Sequence, residues 1–118
     1  IMKSRPEEKV ERSRLVEEAV QYMEENFSRT ELTMSALADY LHISSVALAV
    51  EFKDKMGIRP SDYLANLRME QARGLLVTAD MLIREISLSV GYEDDHVFTR
   101  RFKKYTGKTP GQYREEHM

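Results

Sequence analysis

Apolar residues recur at three- and four-residue spacing along almost the whole chain, the spacing that lines one side of an α-helix, while strand-like alternation has little support. Val16, Ala19, Val20, Met23 and Phe27 fall on one face of a helix predicted from about Glu8 to Asn26, with Glu and Arg on the other face. Thr33 is placed to cap a short helix carrying Leu37, Ala38 and Leu41, and Ser44 to cap a third carrying Leu48, Phe52 and Met56. Gly57 ends that helix, because glycine enters the left-handed conformation at least cost. Pro60 opens a fourth helix at its first turn, where a missing amide hydrogen does no harm. This helix presents Tyr63, Leu64, Leu67, Ala72, Leu75 and Leu76 as far as about Val77, and tolerates Gly74 at roughly 1 kcal/mol relative to alanine.

After a break at Thr78 to Met81 the pattern begins again. Gly57-Ile58-Arg59-Pro60-Ser61-Asp62-Tyr63 and Gly107-Lys108-Thr109-Pro110-Gly111-Gln112-Tyr113 share a G-x-x-P-x-x-Y frame at an offset of fifty. Phe52-Lys53 matches Phe102-Lys103 and Leu48 matches Phe98 at that same offset, whereas Leu37 and Leu41 match Ile86 and Val90 at forty-nine. The second turn is therefore one residue longer than the first. Asp94 can cap the helix after it, and Thr109 with Gln112 forms a capping box for a last short helix. Helix, turn and helix thus occur twice in an all-α chain. Such hairpins also pack economically without any function, but a short helix, a turn of about four residues and a second helix is the arrangement that sets the second helix in a major groove. The connecting helix from Pro60 would be about 27 Å long at 1.5 Å per residue, near the roughly 34 Å between successive major grooves. One chain would then resemble a built-in dimer.

Composition narrows the choice. Of 118 residues, 42% are hydrophobic and 32% charged, which fits a folded chain of one domain, or of two very small units sharing a core. The apolar runs are too short to span a membrane. Without cysteine there is no disulfide, thiolate metal site or thiol nucleophile, and with no signal segment a cytoplasmic setting is the default. The net charge of −2 speaks against nucleic acid only as a whole-chain figure. From His96 to Arg114 the chain holds Arg100, Arg101, Lys103, Lys104, Lys108 and Arg114 with no Asp or Glu, a local charge of +6. That run is either a solvated helix face or a phosphate footprint.

Ile86-Ser87-Leu88-Ser89-Val90-Gly91-Tyr92, Phe98-Thr99-Arg100-Arg101-Phe102-Lys103-Lys104 and Gly107-x-x-Pro110-x-x-Tyr113-Arg114 resemble the DNA-binding domain of the AraC/XylS family of bacterial transcription regulators. Arg68 with Ala72, Leu75 and Leu76 fits the connecting helix of that family, and the resemblance runs from about Val16 to Arg114. It implies about seven helices in two homeodomain-like helix-turn-helix subdomains joined by a long central helix, set in adjacent major grooves of a straight or bent duplex. It also implies control of transcription initiation, with double-stranded DNA and RNA polymerase as partners. The subdomains are expected at residues 8–59 and 78–118 with the connecting helix at 60–77, together one DNA-binding domain over 8–118. Residues 1–7 are read as a linker remnant. Ile1 is not a translation start, so the chain is read either as a piece of a longer parent or as beginning natively at Met2. A sensor or receiver domain outside this chain would carry any signal, since the sequence holds no evident effector pocket.

Carried over by position, the second recognition helix begins near Asp94 and its base-edge positions are Asp95, His96, Thr99 and Arg100. Helical geometry puts His96, Arg100 and Lys103 or Lys104 on one face, with Val97, Phe98 and Phe102 toward the core. Arg100 suits a bidentate contact with guanine O6 and N7, and Thr99 a thymine methyl or a phosphate. Arg101, Lys103, Lys104 and Lys108 are candidates for phosphates, which they neutralise without reading sequence. His96 is equally a plain surface histidine. Glu93, Asp94 and Asp95 complement the helix dipole, and either repel phosphates or accept from cytosine N4. In the first unit the matching base-edge positions are Val46, Ala49 and Val50, with Ser44, Ser45, Lys53 and Lys55 as phosphate candidates. Its small apolar groups either pack on thymine methyls or touch protein. The second unit is therefore expected to dominate DNA binding. The alternative is a helical interaction module with weak or lost DNA binding.

No enzyme is expected. His42, His96 and His117 are scattered, and no P-loop, dinucleotide fingerprint, H-E-x-x-H or nucleophile elbow is present. Glu93-Asp94-Asp95-His96 are consecutive rather than convergent, so neither a metal nor another cofactor is predicted. Met34, Met56, Met69 and Met81 are read as core filler.

Overall fold

Side chains of Thr33, Ser44, Asp94 and Thr109 cap the starts of four helices, and two of the helices end at left-handed glycines, Gly57 and Gly107. The computed structural model describes residues 6–118, with side chains from Arg14 onward. All regular structure among the described residues is helical: α1 (Pro6–Asn26), α2 (Met34–Tyr40), α3 (Ser45–Met56), α4 (Pro60–Thr78), α5 (Ile83–Ser89), α6 (Asp95–Thr106) and α7 (Pro110–Glu116). Most of the segment read as a linker remnant, residues 1–5, lies outside the described residues, and α1 starts at Pro6.

The chain divides into two compact units, and the division falls inside α4, between Tyr63 and Leu64. In the first unit Val16, Ala19 and Met23 of α1 are buried, as are Leu37 and Ala38 of α2, Leu41, and Leu48 and Phe52 of α3. Tyr63 meets the Phe52 ring edge-on at 5.6 Å and donates a 3.3 Å hydrogen bond to Glu24. Val20 is half-buried. Met56, expected in the core beside Phe52, is exposed instead, because it is the last helical residue before Gly57 turns the chain away.

The second unit combines Phe27–Leu32 with Leu64–Met118. Its core is Met69, Ala72, Leu76, Ile86, Val90, Phe98 and Phe102, with Tyr92 and Tyr113 closing the edges. Phe102 stands edge-on to Tyr113 at 5.4 Å and tilted to Phe98 at 5.8 Å. Burying each of these phenylalanines completely contributes about 1.5–3 kcal/mol, which fixes the rotation of α6 about its axis.

Two arginines hold the connections of this unit. Arg68 is buried and donates to the carbonyls of Phe27 at 2.8 Å, Arg29 at 3.0 Å and Leu32 at 3.5 Å, satisfying the α1–α2 connection. Burial lowers the pKa of its guanidinium, and the neighbouring Tyr92 opposes that shift. Arg114 on α7 does the same for the α4–α5 connection, donating to Leu76 at 3.0 Å, Met81 at 2.7 Å and Ala79 at 3.3 Å.

The internal repeat is visible atom by atom in the two turns. After α2 the N–H of Ile43 donates to the carbonyl of Ala38 and that of His42 to Asp39; after α5 the N–H of Tyr92 donates to Ser87 and that of Gly91 to Leu88. Each is a helix stop with a left-handed residue in the middle, His42 at φ 58° in the first copy and Gly91 at φ 103° in the second. The copies differ in what that residue may be. A Cβ on Gly91 would lie 2.6 Å from the Phe27 carbonyl oxygen and 2.7 Å from Arg68 Nε, so only glycine fits there.

Candidate nucleic-acid interface

Helix α6 is aimed by its cap and its core face together. Asp94 accepts a 2.8 Å hydrogen bond from the His96 N–H at the helix start, satisfying one of the amide groups that has no partner inside the helix. Asp95, in the first turn, sits favourably against the positive end of the helix dipole. Phe98 and Phe102 are fully buried, so the opposite side faces solvent. That side presents His96, Arg100, Lys103 and Lys104, all exposed, at spacings of four, three and one residues. The three cations of this row, Arg100, Lys103 and Lys104, have no counter-charge along the helix beyond its first turn. The row suits a polyanion approaching from outside.

The remaining candidates of this unit lie at the margins of that row. Thr99 is half-buried and its hydroxyl donates to the Asp95 carbonyl at 2.8 Å. Arg101 is exposed but lies about 100° around the helix from Arg100, so it flanks the row rather than extending it. Lys108, in the turn before α7, forms an exposed ion pair with Glu116. Glu93 accepts a 3.1 Å hydrogen bond from Thr30, and so holds the turn to the α1–α2 connection.

One part of the +6 run is corrected by the structure. Arg114 is not available to a phosphate, because its three nitrogens are directed at three backbone carbonyls. Sequence alone could not separate it from its neighbours, since charge counting does not know where a side chain points. The one available signal was its position in a short helix next to Tyr113, away from the four-residue rhythm of the α6 cations.

The first unit repeats the geometry with different chemistry. Ser44 caps α3 by accepting from the Ala47 N–H at 3.0 Å, Leu48 and Phe52 face the core, and Ser45 is exposed beside the cap. The outer side presents Val46, 74% exposed, and Val50, 63% exposed, with Ala49 on one shoulder and Lys53 a turn further on. Lys55 lies about 140° around the helix from Val50 and does not share that face. Asp54 does, in the position that Lys104 holds on α6. The outer face of α3 is thus apolar and nearly neutral where that of α6 is strongly basic.

Residues 37–116 match the model of a helix-turn-helix domain, more than half of the chain. Over 97 residues the chain is 37% identical to the raffinose operon transcriptional regulatory protein RafR of Pediococcus pentosaceus, covering 82% of this chain and 35% of that protein. It is 31% identical over 99 residues to the arabinose operon regulatory protein of Escherichia coli, covering 84% and 34%. The chain belongs to the AraC/XylS family of transcription regulators. It corresponds to the DNA-binding domain of that family, and it spans about a third of the length of these curated relatives. Among solved structures, the C-terminal domain of AraT, a response regulator from Geobacillus stearothermophilus, superposes with a TM-score of 0.85 at 38% identity, covering 88% of this chain and 86% of that one. The C-terminal domain of the two-component response regulator yesN from Fusobacterium nucleatum gives 0.80 at 41% identity, covering 83% and 96%. The all-α architecture with two helix-turn-helix units expected from the internal repeat is therefore that of AraC-type domains. In this AraC-type domain α3 and α6 are the second helices of the two helix-turn-helix units, and the AraC-type motif residues Gly91, Phe98, Phe102 and Pro110 fall where packing requires them.

Proposed function

We propose that this domain binds double-stranded DNA sequence-specifically, as the output of a longer regulator of transcription initiation, and that α6 supplies most of the affinity and specificity. The observation that carries this reading is the exposed row His96, Arg100, Lys103 and Lys104 over the buried Phe98 and Phe102. Arg100 at the centre of the row reads a guanine through O6 and N7, a bidentate contact worth about 1–3 kcal/mol of discrimination. His96 and the Thr99 methyl lie beside it at the base edges, with Asp95 at the entry of the helix. Lys103, Lys104 and the flanking Arg101 neutralise phosphates, and Lys108 joins them when Glu116 releases it. The regulatory domain that receives the signal, and the contact with RNA polymerase, belong to the same proposal. The separate regulatory domain is supported by the similar solved structures, two of which are C-terminal domains of response regulators.

The test is selection of bound sites from random duplexes, followed by affinity measured against salt for the parent and for Arg100→Ala and Val50→Glu. Arg100→Ala should lose roughly five- to a hundredfold in affinity and relax the preference at a single G·C pair. Log affinity should fall with log salt by about 0.9 for each phosphate neutralised, and Lys103→Gln should reduce that slope by about one such step. If Val50→Glu abolished binding while Arg100→Ala left it intact, the dominance of α6 would be wrong.

A further inference from the structure

The outer face of α3 is the largest feature that the α6-centred reading leaves without a role. Val46 and Val50 are the most exposed large apolar side chains on α3 or α6, and neither has a hydrogen-bonding group. They stand where His96 and Arg100 stand on α6, on a helix with the same kind of cap and the same left-handed stop. Lys53 and Asp54 bracket the next turn of that face, and Glu51 lines the same concavity as Val50 and Asp54, so α3 has no surplus positive charge with which to attract phosphates. What an apolar side chain in a major groove can recognise is limited. Thymine offers a C5 methyl there, whereas cytosine and adenine offer amino groups that a valine would strip of water without replacing the hydrogen bond.

Resting on the DNA-binding reading above, we infer that α3 is a methyl reader: Val46 and Val50 select two thymines in the half-site bound by the first unit. The spacing suits this role. Four residues along a helix advance about 6 Å, close to two base-pair steps of about 3.4 Å, so the two side chains meet methyl groups one or two base pairs apart. Ala49, on one shoulder of that face, is small enough to let the helix approach the groove floor. Ser44 and Ser45 lie at the helix start, where hydroxyl groups reach the sugar-phosphate backbone and set the register. The first unit thereby adds discrimination with little attraction, while the second supplies the attraction and the larger share of the specificity. Apolar contact replaces the amino- and carbonyl-directed contacts that recognition helices more often make.

Deoxyuridine is the direct probe, because it lacks only the methyl group and keeps every hydrogen-bonding atom of thymine. The site selected by the whole chain is synthesised with each thymine replaced singly, and Kd is measured for the parent, Val50→Ala and Val46→Ala. The half-site of the first unit is the one whose sequence preference survives Arg100→Ala. Within it, two replacements one or two base pairs apart should each weaken parent binding about fourfold, the ratio expected for one buried methyl group at about 0.8 kcal/mol. Val50→Ala should lose its sensitivity at one of these positions and Val46→Ala at the other. Both valines are exposed, so the truncations leave the core intact, which circular dichroism checks. Uniform tolerance of deoxyuridine in that half-site, with binding otherwise retained, would overturn the inference and assign the apolar face to a protein partner. Absence of binding to any duplex at low salt would instead remove the proposed function itself.

Discussion

Replacing Gly91 by alanine tests the packing of the second helix-turn-helix at its narrowest point. Gly91 holds φ 103°, a conformation that costs an L-residue about 1–2 kcal/mol. The added Cβ would also press on the Phe27 carbonyl oxygen at 2.6 Å and on Arg68 Nε at 2.7 Å, the two atoms that hydrogen-bond each other at 2.8 Å. Making room means parting them, and a hydrogen bond from a charged donor contributes about 1.5–3 kcal/mol. Against this, alanine restricts the unfolded chain and returns about 0.4–1 kcal/mol. The net expectation is a loss of about 2–4 kcal/mol. Gly107→Ala is the internal control, since Gly107 is equally left-handed at φ 86° but has nothing within 4 Å of an added Cβ. It should cost about 1 kcal/mol or less by the same reasoning. Urea unfolding followed by far-UV circular dichroism measures both. If the two variants were equally destabilised, the close approach of the α5–α6 turn to Arg68 would carry no energy and the account of this turn would be wrong. Gly91 does not lie on the outer face of α6, so the folded variant should keep the salt slope of its parent for DNA binding.

Three further outcomes are expected. Arg114→Lys should lower stability by about 2–3 kcal/mol, because one ammonium cannot satisfy three carbonyls that a guanidinium now reaches, while the salt dependence of DNA binding stays unchanged. A shallower slope would place Arg114 on a phosphate. The carboxyl of Glu70 is held below the usual glutamate range, chiefly by the 2.5 Å hydrogen bond from Tyr105. Its stabilisation is therefore present above pH 4.5 and is lost as pH falls through the lowered folded value; Tyr105→Phe should shrink this acid-side loss by a few tenths of a kcal/mol, read from unfolding at pH 3 to 6. Glu116→Gln should barely alter stability, since its ion pair with Lys108 is exposed, but should raise DNA affinity and steepen the salt slope by freeing Lys108. An unchanged slope would remove Lys108 from the phosphate contacts.

Much of this architecture was legible before any coordinates. Local rules fixed the caps at Thr33, Ser44, Asp94 and Thr109 and the stops at Gly57 and Gly107, because a cap is a contact between residues two to four apart. The fifty-residue repeat exposed the two helix-turn-helix units, and the longer second turn appeared as the change of offset from forty-nine before it to fifty after it. The buried phenylalanines followed from helical periodicity, and with them the direction in which Arg100 points. The departures have a common cause. Met56 obeys the apolar spacing yet is exposed, because periodicity does not say where the partner surface ends. Arg114 counts as a positive charge in the sequence, yet it is consumed by carbonyls of a connection more than thirty residues away.

Sequence by itself determined what depends on neighbours along the chain: helix boundaries, the repeat, the family, and the chemical contrast between a basic α6 and an apolar α3. Tertiary structure alone decided which of the cations stay exposed and which is consumed by backbone carbonyls. It also decided why the left-handed position tolerates histidine at His42 but only glycine at Gly91. The physical reason is that burial and hydrogen bonding are set by groups distant in sequence. Phe27 and Arg68 reach Gly91, and the α4–α5 carbonyls reach Arg114, only once the chain has folded.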